Sequence, residues 1–187
     1  TDQLVQGIEQ LLKANGVTLV SGHGTLLGSH RVQVEGKEIQ VLEARNIILA
    51  AGSKPFMLPL PGMDLKGVLS SDELFKLEEM PESLVIIGGG VISVEFATIL
   101  EAMPRLVPNM DKEISQSLKM LLKKRDIDVH TSAGVQSVEE RDGAYVCKYT
   151  EKEKECEASA QYVLCAVGRI PNTEGLFAED AVPEMEA

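Results

Sequence analysis

Apolar residues follow two spacings along the chain, one helical and one typical of strands. The first fifteen residues predict an amphipathic helix that stops at Asn15-Gly16, with one apolar stripe: Leu4, Ile8, Leu11 and Leu12. A second helix is predicted to open at Asp111 and Glu113, with one apolar face: Ile114, Leu118, Leu121 and Leu122. Short apolar runs predict strands at residues 17–20, 31–34, 38–42, 46–50, 84–87, 127–130, 135–138, 144–150 and 162–167. This mixture predicts an α/β protein.

Turn-forming residues divide this pattern into segments. Glu35-Gly36 separates the predicted strands at 31–34 and 38–42 and indicates a hairpin. Residues 55–62 contain three prolines and end in a glycine, so they predict an irregular connector between two domains. Ser70-Ser71-Asp72-Glu73 has the residue types of a capping box and predicts the start of a short helix.

Three consecutive glycines follow the apolar run at 84–87. Gly88, Gly89 and Gly90 lead into a helical pattern predicted over residues 91–100. In dinucleotide-binding proteins such glycines form a tight turn and let the backbone approach the pyrophosphate, which faces the N–H groups of the next helix. Strand-to-helix turns also use glycine for steric reasons alone, and Ser93 stands where the fingerprint has Gly or Ala. The flanking strand and helix favour a dinucleotide site.

The acid expected beyond the glycines conflicts with the predicted helix. It should lie about 20 residues on, at the end of the second strand of a βαβ unit of about 30 residues. Glu101 is the only suitable acid and comes thirteen positions after Gly88, so a helix over 91–100 leaves no room for that strand. Either the molecule lacks the strand, or the molecule contains further residues between about Ile99 and Leu100 that the sequence omits. We favour omission, because excising a central parallel strand would expose its neighbours.

Composition and charge restrict the function classes. The 187 residues fit one large or two small domains, and the 44% of hydrophobic residues suffice for a core. A formal net charge of −11 argues against nucleic acid or an anionic membrane as a partner. Acidic residues concentrate at 151–157 and 174–187, which we interpret as solvated surface. No apolar stretch reaches the roughly 20 residues of a membrane span, and the helical pattern at residue 1 leaves no visible signal peptide.

The three cysteines lie nine residues apart, too far for a metal or redox motif. Cys147, Cys156 and Cys165 form no CxxC pair, and no histidine lies near them in the sequence, so we expect no metal site. Cys147 and Cys165 lie in strand-like apolar runs and are predicted to be buried thiols. Unpaired thiols favour a reducing compartment, so the expected location is the cytoplasm.

Four blocks of the sequence carry a family resemblance: residues 47–55 (IILAAGSKP), 85–97 (VIIGGGVISVEFA), 101–106 (EAMPRL) and 168–176 (GRIPNTEGL). Taken together, they resemble the pyridine nucleotide-disulfide oxidoreductases. Their order and approximate separations match that family, apart from the short spacing after Ile99, and they extend over nearly the whole chain.

The resemblance implies a domain organisation. It predicts a Rossmann-like NAD-binding domain, with a parallel sheet and a β-meander, together with part of an FAD-binding domain. Residues 1–60 would be the partial FAD-domain segment, 61–81 the connector, 82–176 the NAD-binding domain, and 177–187 the start of the return to the FAD domain.

The resemblance also implies cofactor-binding residues. Glu101 would take the ribose hydroxyls, which implies NAD over NADP because a 2′-phosphate would be repelled. Glu95 would lie near the nicotinamide, although a helix-surface glutamate fits equally well. Gly168 would flank the dinucleotide, unless it only ends a strand. Ala51 replaces the usual Thr beside Gly52, in the block near the flavin. The full predicted set is Gly88, Gly89, Gly90, Val91, Ile92, Glu95, Glu101, Gly168, Ala51 and Gly52.

The implied parent enzyme oxidises a dithiol such as dihydrolipoamide through a cysteine disulfide and FAD, and passes hydride to NAD. In the family, the redox cysteines and the FAD glycine fingerprint precede the region of Thr1. A second flavin motif and a dimerisation domain with a His–Glu pair follow that of Ala187. We therefore expect a homodimer for the full-length enzyme, and no catalytic residue and little of the FAD site in this chain.

Two alternatives stay open at this point. Another family member, such as an NADH oxidase or a disulfide reductase, would differ mainly outside these residues. A non-catalytic nucleotide-binding module or an inactive fragment belongs to a different class. The three histidines match no catalytic position of the family, and we interpret them as surface or turn residues: His23, His30 and His130.

Overall fold

The computed structural model describes residues 2–90 and 97–183. The helices and strands in chain order are α1 (Asp2–Ala14), β1 (His23–Leu26), β2 (Arg31–Glu35), β3 (Ile39–Glu43), β4 (Ser53–Pro55), β5 (Val68–Ser70), α2 (Ser71–Leu74), β6 (Leu84–Ile87), β7 (Ala97–Glu101), α3 (Lys112–Lys123), β8 (Asp128–Thr131), β9 (Ala133–Arg141), β10 (Ala144–Glu151), β11 (Lys154–Ala160), β12 (Tyr162–Cys165) and β13 (Arg169–Pro171). The chain divides into two units, Thr1–Gly52 with Pro171–Ala187, and Ser53–Ile170. Among the described residues, no helix is long and apolar enough to cross a membrane.

The first unit contains α1 and an antiparallel sheet in the order β1-β2-β3. The predicted helix is confirmed, and so is the hairpin, in which β2 pairs with β3. The strands predicted at 17–20 and 46–50 are wrong, because both segments are irregular and Ile48 is 90% exposed. An apolar run becomes a strand only when a neighbouring strand satisfies its backbone groups, and neither segment pairs with a described strand.

The second unit is built on a parallel sheet in the order β5-β12-β6-β7-β8. The four residues of β6 are buried, as their uninterrupted apolar run predicts for a strand covered on both faces. The parallel register joins Ile87 to Cys165 on one side and to Leu100 on the other. The predicted α/β class with a parallel sheet is therefore confirmed. Separately, β4 and β13 form a two-stranded sheet.

Alternate residues of the parallel sheet face two different layers. One face packs against the antiparallel meander β11-β10-β9, in a cluster that includes Val85, Ile87, Leu100, Val163, Val138, Cys147 and Tyr149. The other face packs against α3 and the loop before it, in a cluster of Leu84, Ile86, Ile99, Leu106, Leu122, Ile127 and Leu164. This alternation is the two-residue period of a strand. The β-meander predicted from the sequence is confirmed, although β11 within the acidic run was not predicted as a strand.

The helix predicted over 91–100 is wrong in its last four residues. Residues 97–100 belong to β7, whereas 91–96 lie outside the described residues. Ile99 and Leu100 are consecutive in one strand, paired with Ile86 and Ile87 of β6 and with β8 on the other side. Both alternatives for the second strand assumed a helix up to Leu100. The missing strand is contradicted, because β7 occupies that place in the sheet, whereas the omission of residues near Ile99–Leu100 stays a prediction. Pairing on both sides outweighs the helical spacing of these apolar residues.

Two shorter predictions need adjustment. α3 forms where predicted, but its buried face differs, because Ile114 and Leu121 are exposed while Ser115 and Leu122 are buried. The capping box before α2 is confirmed, since the Glu73 carboxylate accepts hydrogen bonds from the backbone N–H and the hydroxyl of Ser70, at 2.8 and 2.7 Å. These bonds lower the pKa of Glu73.

The predicted burial of two cysteines is confirmed. Cys147 is 0% exposed and Cys165 is 2% exposed, whereas Cys156 on β11 is partly exposed. Burial raises the pKa of the Cys147 thiol to about 12, because a thiolate is poorly solvated in the core. All three cysteines are free.

These environments predict unequal thiol reactivity. Because thiolate is the reactive form, we expect one fast-reacting thiol with a thiol-specific reagent in native protein and three after unfolding. Cys156→Ser should remove the fast phase and leave two thiols that react only on unfolding. Fast reaction of two or more thiols in the native Cys156→Ser protein would contradict the described core.

Candidate functional site

The carboxyl ends of three neighbouring strands meet at one edge of the parallel sheet. β6 runs into Gly88–Gly90, β7 ends at Glu101, and β12 is followed by Ala166–Gly168. The chain passes from β6 to β7 and β8 in one direction, while β12 lies on the opposite side of β6. The strand order thus reverses between β12 and β6, and in open parallel sheets ligands bind outside the carboxyl ends at such a reversal.

Backbone hydrogen bonds hold this edge together. The N–H of Gly88 donates to the carbonyl of Leu100, and the N–H of Ala166 donates to the carbonyl of Ile87, both at 2.8 Å. The N–H of Val107 donates to the carbonyl of Gly89 at 3.2 Å. The glycine turn is therefore tied to the ends of both flanking strands.

Glu101 is the buried charged group at this edge, with 8% of its surface exposed. Its Oε2 accepts a hydrogen bond from the N–H of Gly89, and its Oε1 accepts one from the N–H of Met103 at 2.6 Å. Hydrogen bonds to a carboxylate are stronger than those between neutral groups. The two carboxylate oxygens thus fix the glycine turn relative to the end of β7.

The geometry requires glycine at one position of the turn and restricts a second position. Gly88 has φ +115°, and a Cβ there would lie 2.5 Å from the carbonyl oxygen of Ala166. A Cβ on Gly89 would lie 2.5 Å from Oε2 of Glu101 and 2.9 Å from Cδ2 of Leu106. At Gly88 only glycine fits, because it tolerates positive φ beside a fixed backbone oxygen. At Gly89 a side chain would displace the ends of the Glu101 and Leu106 side chains. The sequence signal of three glycines therefore has a steric cause in the structure.

A cleft of about 760 Å³ opens in front of this edge. Its lining includes all three glycines of the turn, Glu101 and Gly168, together with apolar residues: Leu58, Leu60, Met103, Val107 and Val135. The volume lies within the range usual for small-molecule sites, as does the combination of apolar walls with a few fixed polar groups. A backbone turn free of side chains beside a carboxylate offers space for a phosphate group and acceptors for sugar hydroxyls.

The structure brings together five of the ten predicted site residues: Gly88, Gly89, Gly90, Glu101 and Gly168. Val91, Ile92 and Glu95 lie outside the described residues. Ala51 and Gly52 belong to the first unit, where their carbonyls accept hydrogen bonds from the side chain and the backbone N–H of Asn172, at 3.4 and 3.0 Å. Their predicted flavin contact stays a prediction.

Sequence reasoning missed the role of residues around the turn. Met103 binds Glu101 through its backbone, and Val107 binds Gly89 in the same way. The only signal was their place within or just after the 101–106 block. Arg169, next to Gly168, donates from Nε to Oγ of Ser53 at 2.8 Å and from Nη1 to Oδ1 of Asp72 at 3.1 Å. It thereby links β13 to β4 and α2.

His130, interpreted from sequence as an ordinary turn or surface residue, forms a specific pair. Its Nδ1 lies 2.8 Å from Oε2 of Glu151, and its ring lies 5.4 Å from that of Tyr149. The histidine contact is the main cause of the lowered pKa of Glu151. This pair joins β8 to the meander.

Comparison with known proteins identifies the family. Residues 1–186 match the family described as pyridine nucleotide-disulphide oxidoreductase. The chain belongs to this family. The resemblance inferred from four sequence blocks is therefore confirmed over nearly the entire length.

The family members most similar in sequence include several dihydrolipoyl dehydrogenases. That of Bacillus subtilis (strain 168) is 35% identical over 190 residues, which cover 96% of this chain and 41% of the relative. That of Chlamydia pneumoniae is 34% identical over 187 residues, covering 94% and 39%. That of Acholeplasma laidlawii is 35% identical over 188 residues, covering 93% and 54%. The chain thus spans about 40 to 55% of the length of these curated relatives.

A solved structure of a flavoprotein disulfide reductase has a similar fold. The HOCl-induced flavoprotein disulfide reductase RclA from Escherichia coli superimposes with a TM-score of 0.73 at 26% sequence identity, covering 88% of this chain and 39% of that one. Its Cu(II) complex gives a TM-score of 0.74 at 25% identity, with the same coverage. These similarities support the mixed architecture of a parallel sheet with antiparallel sheets.

Proposed function

We propose that this chain supplies the nicotinamide-nucleotide-binding part of a flavin-dependent dithiol oxidoreductase, most similar to dihydrolipoyl dehydrogenase. The observation that carries this proposal is the position of Glu101. Its buried carboxylate lies against Gly89 at the carboxyl edge of the parallel sheet and lines the same cleft as the glycine turn. A Rossmann-type site needs this combination of an acid and a close backbone turn.

The residues of the cleft fit NAD by their chemistry. The three glycines of the turn line the cleft and carry no side chains, and a Cβ at Gly88 would collide with the Ala166 carbonyl oxygen. A carboxylate has about four acceptor positions, and Glu101 uses two of them for Gly89 and Met103. The remaining positions would hold ribose hydroxyls. The bound nicotinamide supplies hydride transfer, whereas the residues of this chain bind and orient the nucleotide.

We expect the chain to prefer NADH to NADPH. A 2′-phosphate beside Glu101 would meet a negative charge, whereas a 2′-hydroxyl would donate a hydrogen bond to it. Fluorescence titrations should give at least ~10-fold tighter binding of NADH than of NADPH. This factor corresponds to the free energy of one hydrogen bond to a charged group. Glu101→Ala should reduce the difference between the affinities for NADH and NADPH. Equal affinity, or a preference for NADPH in the unchanged chain, would refute the role of Glu101.

A dithiol is the substrate class implied by the relatives, and its chemistry would lie outside this chain. Cys147 and Cys165 are buried, and the raised pKa of Cys147 keeps it a neutral thiol. Neither can exchange readily with a dithiol substrate. Another family member, such as an NADH oxidase or a disulfide reductase, is the second candidate, favoured by the structural similarity to RclA. A nucleotide-binding module without catalysis is the third.

We therefore predict that a preparation of these 187 residues alone reduces no NAD with dihydrolipoamide and purifies without yellow colour. FAD would require further binding surface from the full-length enzyme, to which Ala51 and Gly52 would contribute. The measurement is an absorbance spectrum combined with a coupled assay, on protein whose intact mass is confirmed. Stoichiometric FAD with turnover would overturn this division of roles.

The cellular setting follows from the same proposal. Three free thiols favour a reducing compartment, so we propose a cytoplasmic enzyme. The homodimer of the full-length enzyme is likewise proposed from the family.

A further inference from the structure

A second cavity, of about 600 Å³, lies next to the nucleotide cleft and shares Met103 and Pro108 with it. We call it the cationic cavity because its lining includes Arg105, Lys112 and Lys119. No Asp or Glu is among the described residues that line it. The chain has a formal net charge of −11, so a cavity lined by three cations and no described carboxylate has a charge opposite to that of the chain.

The fold places these three cations around the same cavity. Lys112 and Lys119 are seven positions apart on α3, so they project from the same side of the helix. The Ser115 hydroxyl between them donates to the carbonyl of Leu106 at 2.7 Å and fixes α3 against the opposite wall. Nη2 of Arg105 donates to the carbonyl of Pro108 at 2.7 Å. A guanidinium has five N–H donors, so others are available for a ligand.

Among the described residues, no acid forms a salt bridge with Arg105, Lys112 or Lys119. Lys119 lies 3.4 Å from the hydroxyl of Thr131, an uncharged partner. Lys119 contributes to lowering the pKa of Glu151, but less than His130 does. Glu151 itself pairs with His130 at 2.8 Å.

We propose that the cationic cavity binds a small phosphate monoester that carries an apolar body. The cations suit a dianionic phosphate, because Lys and Arg are its usual ligands. The side chains of Met103, Leu106 and Pro108 offer an apolar wall to the rest of the molecule. The cavity volume is within the range of small-molecule sites. This site adjoins the proposed NAD site at Met103 and Pro108, but its three cations line the cationic cavity alone, so the proposal does not require NAD binding.

The test is calorimetric titration of the chain with phenyl phosphate at low ionic strength. Lys112→Gln and Lys119→Gln should each weaken binding by about fivefold, and the double variant by more than about tenfold, as expected for contacts between exposed charges. Lys123→Gln, at the far end of α3 and outside the cavity, carries the same charge change and should leave the affinity unchanged. Inorganic phosphate should bind at least several-fold more weakly, since it lacks the apolar body.

Four results would overturn the proposal. These are undetectable binding of phenyl phosphate, equal weakening by Lys123→Gln, equally tight binding of inorganic phosphate, and loss of phenyl phosphate binding at saturating NADH. The last would assign phenyl phosphate to the nucleotide cleft. A chain that binds phenyl phosphate but no NADH would support the cationic cavity while contradicting the proposed NAD site, so the two failures are distinguishable.

Discussion

Gly88→Ala should destabilise the second unit by about 3 kcal/mol or more and abolish detectable NADH binding. Two costs add at this position. The φ of +115° is unfavourable for any residue with a Cβ, and the new methyl would lie 2.5 Å from the Ala166 carbonyl oxygen. That oxygen belongs to the backbone after β12, so relief requires the two strand ends to separate. Denaturant unfolding and an NADH titration measure the two effects.

Gly143→Ala is the matched control for this prediction. Gly143 lies in the turn between β9 and β10 of the same unit, also has positive φ, +81°, and has nothing within 4 Å of an added Cβ. It should cost only the backbone strain, on the order of 1 kcal/mol, and leave NADH binding intact. If both variants lose equal stability and Gly88→Ala still binds NADH, the close contact at the turn is not a determinant of the site.

Glu101→Ala should lower the free energy of unfolding by about 2–5 kcal/mol, because it leaves two N–H groups without their acceptor. Gly89 and Met103 both donate to this carboxylate at a buried position. The free energy of unfolding of Glu101→Gln should lie between those of the unchanged chain and Glu101→Ala. Its amide keeps one acceptor oxygen but presents a donor to the other N–H. Thermal unfolding would show a Tm reduced by roughly 10 °C for the alanine variant.

Amide hydrogen exchange distinguishes the loss of the two hydrogen bonds to Glu101 from a general loss of packing. Glu79 is exposed and lies in an irregular segment of the same unit, so Glu79→Ala should change stability by less than about 0.5 kcal/mol. In Glu101→Ala, hydrogen exchange at Gly89 and Met103 should accelerate more than exchange within β12. Uniform acceleration over the unit, or a stability equal to that of the unchanged chain, would contradict the bonding assigned to Glu101.

The sequence predicted which residues meet at the sheet edge better than it predicted the segment between them. Gly88–Gly90 and Glu101 were identified because their chemistry is local: a turn needs glycine, and a ribose site needs an acid. Their distance along the chain conflicted with a helix over 91–100, and the structure resolves the conflict by placing residues 97–101 in β7. Nine residues, 88–96, connect β6 to β7. Helical spacing in a short apolar run cannot reveal that both sides of the run will be paired.

The errors in the first unit have a related physical origin. Residues 46–50 carry the composition of a buried strand, yet the segment is irregular and Ile48 is 90% exposed. Composition reports how well a segment would fit a sheet, but pairing depends on a partner strand elsewhere in the fold. By contrast, the hairpin of β2 and β3 was predictable because its partner is adjacent in sequence and its turn contains Gly36.

The central claim is that the edge formed by Gly88–Gly90, Glu101 and Gly168 binds NAD. A ¹⁵N-resolved NMR titration of the chain with NAD⁺ tests it directly. The account predicts saturable shifts at the amides of Gly88, Gly89, Gly90, Met103 and Gly168, with Gly28 and Gly143 unaffected. Absence of shifts at millimolar NAD⁺, or shifts confined to residues outside this edge, would contradict it.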